Sequence, residues 1–241
     1  MKKRRSDSRL HRGRVLDVAL VQDPRNDDFR MQAVFGSAAG LPLASKEWIC
    51  PVTLDQGSEG ACVGFAGAHW FGSERFIQKV TTKIARMFYK GAQKCDEWAG
   101  ENYEGTSVNG LIKYLQSKGY IKGCRWIRTM DELKRTLSLY GPVIVGCEWR
   151  EGCFDPDREG FITFSGELRG GHATEWRGWN REEGYFIIQQ SWGDDHGIKG
   201  TVKMREADVV RLLATRPQIA SPKKKPFHQG VTLRRWWQFW K

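Results

Sequence analysis

Apolar side chains recur at helical spacing in several stretches of this chain. Within residues 108–118, Leu111, Ile112 and Leu115 fall on one helical face, and Gly119 follows as a stop signal. Such a stripe must be buried against another element, so each stretch of this kind predicts a helix that packs on a core. The same pattern predicts further helices over residues 62–80, 83–93, 130–139 and 206–214.

Short β-type runs dominate the second half of the chain. They begin at Pro142 and continue in 174–179 and 185–190, and residues 200–204 form the last predicted strand. Residues 15–39 contain only short apolar pieces and predict a partly ordered lead-in. Helices in the first half and strands in the second predict an α+β fold.

The composition sets outer limits. A chain of 241 residues with 40% hydrophobic content can bury one good core or two small ones. No apolar run of 18 residues is present, so no transmembrane segment is expected, and the basic N-terminus lacks the apolar region of a secretory signal before Asp17. None of the six cysteines has C-x-x-C spacing, and we expect no metal and no cofactor.

The positive charge is concentrated at the two ends of the sequence. Residues 1–14 hold seven basic residues and one acid, and residues 221–241 hold six basic residues and no acid. The whole chain has a formal net charge of +11, so the residues between these ends are close to neutral. We therefore predict that the two basic tails carry the attraction to polyanions, either nucleic acid or an anionic membrane surface.

A Gly- and Ser-rich turn over residues 55–60 leads directly into Cys62 and a predicted helix. A thiol at a helix N-terminus lies at the positive end of the helix dipole, which favours the thiolate. Gln56 precedes the cysteine by six residues, and its amide can join the Cys62 backbone N–H as a donor to an oxyanion. The alternative for a lone cysteine is a structural role in a core.

Two later segments favour the catalytic interpretation. Gly171-His172-Ala173 leads into a predicted strand, and Gln190-Ser191-Trp192-Gly193 follows another. A cysteine, then a histidine, then a carboxamide is the order of residues that a thiol peptidase uses.

With these segments, the chain resembles the papain family of cysteine peptidases, particularly compact forms found in bacteria and phages. The resemblance covers roughly residues 41–213 and rests on four segments in the family's order: 55–62, 141–145, 171–173 and 191–193. The family signature C-G-[SA]-C-[WY] is only partly kept in Glu59-Gly60-Ala61-Cys62-Val63, and Gln190 stands where the family has asparagine.

The resemblance implies a helical subdomain that carries the nucleophile, a β-rich subdomain that carries the histidine, and an active site in the cleft between them. The implied catalytic residues are Cys62, His172, Gln190 and Gln56; the implied substrate-binding residues are Gly60, Gly105, Gly171 and Trp192.

The predicted organisation has three parts. Residues 1–40 form a basic arm and lead-in, which is shorter than the long propeptide of secreted relatives, so we expect the enzyme either to be made active or to be controlled otherwise. Residues 41–216 form the papain-like domain, with a helical half over 41–140 and a β-rich half over 141–216. Residues 217–241 form a basic, Trp-rich tail, in which the prolines and lysines from Ser221 and Pro222 onward predict an extended linker.

The predicted function is that of a cysteine endopeptidase acting on peptides or proteins. The predicted location is the cytoplasm, or the host cytoplasm or the virion if the protein comes from a phage. Two alternatives remain open: a phage-type cell-wall amidase or endopeptidase on a related fold, and a non-catalytic binding module. The intracellular setting follows from Glu59, which replaces the family's disulfide cysteine beside the nucleophile. The sequence leaves the oligomeric state unassigned.

Overall fold

The computed structural model of the chain describes residues 10–11, 14–20, 24–31, 40–73, 79–96 and 105–224. In these ranges the α-helices are α1 (Cys62–Gly72), α2 (Thr82–Cys95), α3 (Val108–Ser117), α4 (Met130–Arg135) and α5 (Glu206–Ala214). The strands are β1 (Leu10–His11), β2 (Arg14–Val15), β3 (Lys46–Glu47), β4 (Ile121–Ile127), β5 (Val143–Arg150), β6 (Phe161–Ile162), β7 (Leu168–Asn180), β8 (Tyr185–Gln189), β9 (Thr201–Arg205) and β10 (Gln218–Lys224). No helix of this part of the chain is both long and apolar enough to cross a membrane.

Side-chain caps begin three of the helices. Thr81 accepts a backbone N–H of the first turn of α2, and Ser107 does so for α3 at 2.9 Å. Thr129 and Glu132 form a reciprocal capping box at the start of α4. By contrast, α1 has no side-chain cap and every one of its residues is buried, so tertiary packing rather than local capping holds this helix in place.

One mainly antiparallel sheet runs through the molecule in the order β4-β10-β5-β7-β8-β9-β6, with β3 added to β7. Its central strand, β7, pairs with β5 on one side and β8 on the other. The strand β6 joins β9 in parallel. This arrangement puts β7, the longest strand, in the middle of the sheet, where it also contacts α1.

The buried apolar residues form two main clusters on the two faces of the sheet. One cluster contains α1, α2 and α3 together with Ile144 and Ala220; the other contains α4 and α5 together with Val143 and Ile219. Neighbouring strand residues therefore face opposite clusters, as the period of a strand requires. The α+β fold predicted from the sequence is confirmed.

The predicted domain limits need two corrections. Strand β4 lies within the predicted helical half, and β10 lies beyond the predicted end of the domain at residue 216. Residues 221–224, the described part of the predicted linker, are instead the end of β10 and pair with β4, while the preceding residues 218–220 pair with β5. Its Pro222, which suggested a linker, lies past Ala220, the last residue that pairs with β5.

The helix predictions differ in accuracy. The prediction over 206–214 matches α5, and that over 130–139 matches α4 followed by one π-helical turn over Thr136–Tyr140. The helix predicted over 62–80 ends at Gly72, where Ser73 adopts an extended conformation. The basic N-terminal residues 1–9 and the Trp-rich residues 225–241 lie outside the described residues.

Candidate active site

A tight turn precedes α1 and sets the position of Cys62. Gly57 adopts a φ of 61°, a conformation that favours glycine, and its N–H donates to the Asp55 carboxylate at 2.8 Å. The backbone N–H of Gln56 donates to the carbonyl of Ser191 at 2.9 Å. The turn is thereby tied to the segment after β8, across the sheet from α1.

Cys62 is the first residue of α1 and is completely buried. Burial raises the pKa of the Cys62 thiol to about 11; backbone hydrogen bonds from Ala173 and Asp17 lower this pKa, and the Asp17 carboxylate raises it. The thiolate expected from the helix dipole is therefore not favoured in this state, because the loss of hydration outweighs the nearby donors. The sulfur lies beside the backbone of the residue that follows His172.

His172 lies in β7 opposite Cys147 of β5. Its Nε2 lies 3.0 Å from Oε1 of Gln190. A carboxamide oxygen can only accept, so Nε2 carries the hydrogen and Nδ1 is the basic nitrogen of the neutral ring. The structure thus brings His172 and Gln190 into the predicted contact, and the extra methylene of glutamine is accommodated in a fully buried site.

Aromatic rings enclose the imidazole of His172. Trp192 stacks on it with ring centroids 4.6 Å apart, and Trp149 of β5 meets it edge to face at 4.8 Å. Phe154 stacks on the far side of Trp192, and His196 contacts the same indole edge to face. The rings restrict the imidazole to one orientation and exclude water from its bond to Gln190.

Both the oxygen and the nitrogen of the Gln56 side-chain amide make hydrogen bonds. Oε1 accepts the hydroxyl of Ser191 at 2.6 Å, and Nε2 donates to the carbonyl of Glu59 at 2.8 Å. These two bonds fix which end of the amide is nitrogen. The donor nitrogen is therefore turned toward the backbone that leads into Cys62.

The three glycines predicted to bind substrate line the cleft, and residues of the lead-in lie against all of them. A Cβ added to Gly60 or Gly105 would meet Asp17, and one added to Gly171 would meet Val18. Trp192, the fourth predicted substrate-binding residue, is 1% exposed and packs on His172. It covers the imidazole and has almost no surface of its own in the cleft.

The sequence profile described as "Papain family cysteine protease" matches residues 50–216, which is more than half of the chain. The chain belongs to the papain family.

Similarity to individual family members is more distant. The chain is 33% identical over 104 residues to "Cathepsin B-like cysteine proteinase 3" of Ostertagia ostertagi, with 41% of this chain and 59% of that protein covered. It is 34% identical over 127 residues to the protein of the same name from Caenorhabditis elegans, with 52% of this chain and 31% of that protein covered. The chain thus spans less than two thirds of the length of these curated relatives.

Solved structures of the papain family agree in fold. Xylellain, a cysteine protease from Xylella fastidiosa, superposes with a TM-score of 0.61 at 18% identity, covering 94% of this chain and all of that one. The bromelain protease from Ananas comosus superposes with a TM-score of 0.56 at 14% identity, covering 75% of this chain and all of that one. At these identities the likeness establishes the fold alone.

Sequence reasoning missed two residues at this papain-family site. Trp149 lies in a strand whose apolar pattern does not distinguish a ring that touches His172 from any other core ring. Ser191 was noted only as part of the Ser-Trp-Gly motif, yet its hydroxyl orients Gln56. The Ser-Trp-Gly motif could have indicated a role for Ser191, whereas nothing in the sequence indicates that Trp149 lies at the site.

His69 of α1 also does more than fill space. Its Nε2 accepts the backbone N–H of Leu54 at 3.1 Å, which anchors the start of the turn that carries Gln56. Burial, and then the charge of Arg177, lowers the pKa of His69 to about 3. The ring is therefore neutral and able to accept this hydrogen bond throughout the physiological pH range.

Proposed function

We propose that this papain-family chain is a cysteine endopeptidase whose nucleophile is Cys62 and whose general acid and base is His172. The observation that carries the proposal is that α1 and β7 bring the two reactive residues to the same site. The Cys62 sulfur lies against the backbone of the residue that follows His172, and the Gln190 side chain is hydrogen-bonded to the His172 imidazole. Membership in the papain family supports it.

In the proposed reaction, the Cys62 thiolate attacks the carbonyl carbon of a peptide bond, and the carbonyl electrons move onto oxygen. Protonated His172 gives its proton to the leaving amine as the carbon–nitrogen bond breaks, which leaves a thioester on Cys62. A water molecule then gives a proton to His172 and attacks the thioester, and the thiolate departs. No cofactor or metal takes part.

The remaining residues have supporting roles. Gln56 and the Cys62 backbone N–H donate to the oxyanion, and the bonds of Gln56 to Ser191 and Glu59 support this by holding its amide in advance. Gln190 keeps the tautomer of His172, and Trp192 shields that bond. Gly60, Gly105 and Gly171 offer their backbone to an extended peptide.

The test is active-site labelling with a peptidyl epoxide, followed by hydrolysis of a peptide library. We expect Cys62 alone to be labelled, and we expect Cys62→Ala and His172→Ala each to abolish hydrolysis while the protein stays folded. Cys95→Ala, a cysteine substitution in α2, is the matched control and keeps its activity. Near-full hydrolysis by either active-site variant, or cleavage of muropeptides but not peptides, contradicts the proposal.

We also propose an intracellular setting in a bacterium or a phage-infected cell. All six cysteines are free thiols in the structure, which suits a reducing compartment. Fractionation of such cells tests this: the protein is expected with cytoplasmic markers, and recovery in the medium or the periplasm contradicts it.

We further propose that the basic end of the chain binds polyanions. A cavity of about 940 Å³ lies beside β4 and the last residues of β10, and no acidic side chain appears among the described residues that line it. Two of its cations, Lys223 and Lys224, directly precede the basic, Trp-rich residues 225–241 in the sequence. The lining includes Lys113, Lys122, Arg125, Lys223 and Lys224.

Binding of single-stranded DNA and of anionic vesicles tests this second proposal. We expect removal of residues 225–241 to weaken binding and to reduce its salt dependence, since fewer counterions are released. The triple variant Lys122→Ala, Arg125→Ala, Lys223→Ala is expected to weaken it further, with peptide hydrolysis unchanged. Unaltered binding by both variants contradicts the proposal.

A further inference from the structure

The cavity beside β4 and the last residues of β10 has a lining of two chemical kinds. Apolar and aromatic side chains supply most of its surface, and the rings among them include Phe29, Trp70 and Tyr140. The five lysines and arginines named above supply the positive charge. The volume of about 940 Å³ is at the upper end of the range for small-molecule sites. A ligand that combines an apolar body with negative charge matches this lining.

One wall of the cavity is supplied by residues 24–31, which begin with the 3₁₀-helix Pro24–Phe29. Two ion pairs fix this wall in place. Arg128 binds the carboxylate of Asp27 at 3.0 Å, and Arg30 binds Glu132 at 3.0 Å. The carboxylate of Asp27 is thus paired outside the cavity, although the residue follows directly on one that lines it.

That lining residue, Asn26, has a buried hydrogen-bond donor that the described residues leave unused. Asn26 is 7% exposed, and its Nδ2 is buried without a hydrogen-bond partner in the described part of the chain. A buried donor without an acceptor costs free energy. An acceptor on a bound molecule would supply the missing partner, so this amide points to a ligand that carries one.

The cations of the cavity lie beside aromatic faces. The Nζ of Lys224 lies 4.9 Å from the ring centre of Trp70 and donates to two carbonyls at the end of α1. The guanidinium of Arg125 lies 5.9 Å from the ring centre of Phe29. Phe29 is 53% exposed, which leaves room for a planar group to stack on its ring. Positive charge and a stacking surface are therefore available at the same place.

These features favour a heteroaromatic ligand over a hydrocarbon chain. A chain would leave the Nδ2 of Asn26 without an acceptor, whereas the edge of a nucleobase carries acceptors that pair with an amide. Bases stack on aromatic side chains, and phosphate oxygens accept hydrogen bonds from lysine and arginine.

We propose that this cavity binds a nucleotide, with the base against Phe29 and Asn26 and the phosphates on the cations of β4 and β10. The inference rests on the proposal that the basic end of the chain binds polyanions, because it names the ligand of the same cavity. The nucleotide unit can be free or can end a single strand, and the chemistry that recognises it is the same in both cases.

Isothermal titration calorimetry of the full-length protein compares whole nucleotides with their parts. The probes are ADP and UDP, together with adenosine, uridine, inorganic pyrophosphate and decanoate. We expect ADP or UDP to bind with one-to-one stoichiometry and at least about tenfold more tightly than its nucleoside or pyrophosphate, because stacking and charge act together. Tighter binding of decanoate than of both nucleotides overturns the inference in favour of a hydrocarbon ligand.

Asn26→Leu separates a ligand-binding residue from a structural one. It removes an unpaired buried donor at nearly constant size, so we expect the melting temperature to rise by about 2–4 °C. Nucleotide binding should weaken by about tenfold, since the ligand loses its partner. Nucleotide binding that stays unchanged in this variant overturns the assignment of Asn26.

The phosphate contacts are tested by the double variant Lys122→Ala, Arg125→Ala, which also keeps the test decisive if Asn26→Leu folds poorly. We expect nucleotide binding to weaken at least about tenfold while nucleoside binding changes little. Its control, Lys90→Ala with Lys94→Ala, removes the same charge from exposed positions of α2 that do not line the cavity. Equal weakening in both double variants overturns the inference, because net charge and not the cavity would then bind the nucleotide.

A 5′-phosphorylated pentanucleotide of the base that binds distinguishes the two sources. Displacement of the nucleotide at similar concentrations supports recognition of a strand end, and much weaker displacement supports recognition of a free nucleotide. Nucleotide binding without binding of single-stranded DNA or anionic vesicles supports the inference and contradicts the polyanion proposal. Binding of single-stranded DNA with neither ADP nor UDP bound supports the polyanion proposal and overturns the inference.

Discussion

The two walls of the cleft are built in different ways. The helix wall, which we define as residues 54–61 and the first turn of α1, relies on close backbone contact: a Cβ added to Gly64 would lie 2.4 Å from the carbonyl oxygen of Ala85 in α2. The sheet wall, which we define as residues 168–180 and 185–192, relies on large rings, with Trp192 stacked on His172.

This difference shows how each reactive group is positioned. Cys62 has a short side chain, so the placement of its backbone decides where the sulfur lies, and small residues allow that backbone to approach its neighbours. His172 has a ring on a rotatable bond, so its orientation depends on side chains that restrict it. We therefore expect the helix wall to be sensitive to added volume and the sheet wall to lost volume.

Among substitutions that leave Cys62 and His172 in place, the largest effect on catalysis is expected from Gln56→Ala on the helix wall. Loss of an amide that is held before substrate arrives removes a transition-state interaction, so kcat should fall by about 10²–10³ with little change in KM. Steady-state kinetics measure both, with Gln116→Ala on the exposed side of α3 as the control. An unchanged kcat would remove Gln56 from the oxyanion site.

The next effect concerns added volume on the same wall. Gly64→Ala should lower the free energy of unfolding by about 1–3 kcal/mol, because α1 must shift away from α2. Gly123→Ala in β4 is the matched control, since a Cβ there meets nothing within 4 Å. Denaturant unfolding monitored by fluorescence compares the two variants. Equal free energies of unfolding for the two variants would show that the helix wall tolerates the added methyl group.

A smaller effect is expected from lost volume on the sheet wall. Trp149→Phe keeps an aromatic ring but gives His172 more freedom, so kcat/KM should fall by about tenfold and the acid limb of the pH–rate profile should shift. Trp126→Phe, a buried indole in β4 away from the cleft, should leave both unchanged. If Trp149→Phe matches that control, Trp192 alone orients the imidazole.

The last effect concerns stability rather than catalysis and arises from His69, a completely buried histidine of α1. The pKa of His69 is lowered from 6.5 to about 3, so the unfolded chain binds a proton that the folded protein does not. The stability that His69 contributes is therefore present above pH 6.5 and declines as pH falls toward 3, by about 1.4 kcal/mol per unit within that window.

His69→Gln offers an acceptor that does not titrate, so the dependence of stability on pH between 6.5 and 4 should become flatter. Thermal unfolding across this range measures it. If the stability of His69→Gln declines with falling pH as steeply as that of the parent protein, other groups cause the acid sensitivity.

Much of the candidate site could be predicted from the sequence because its chemistry is local. The turn before Cys62, the Gly-His-Ala segment and the Ser-Trp-Gly segment each carry their residues within a few positions, and their order along the chain pointed to a thiol peptidase. The helices α3 and α5 were predicted closely for the same reason, since caps and helical periodicity depend on neighbours in sequence.

Other features depend on residues that are far apart in the chain, and the sequence indicated none of them. Strand β10 contains a proline and two lysines, and it is a strand because β4 and β5 complete its hydrogen bonds. Trp149 contacts His172 because β5, which contains Trp149, pairs with β7, which contains His172. Residues 16–20 belong to a stretch that the sequence predicts to be only partly ordered, yet its backbone N–H groups donate to the carbonyls of Gly171 and Thr106.

The amino-acid sequence by itself determined which groups are available for the chemistry: a thiol at a helix start, an imidazole, and two carboxamides at fixed positions. The tertiary structure decided whether that chemistry is accessible. It buried Cys62 so deeply that its thiol pKa is raised to about 11, and it placed residues 16–20 across the site. The physical reason is that desolvation and occupancy depend on what surrounds a group in space, and these surroundings come from segments that lie far apart in the sequence.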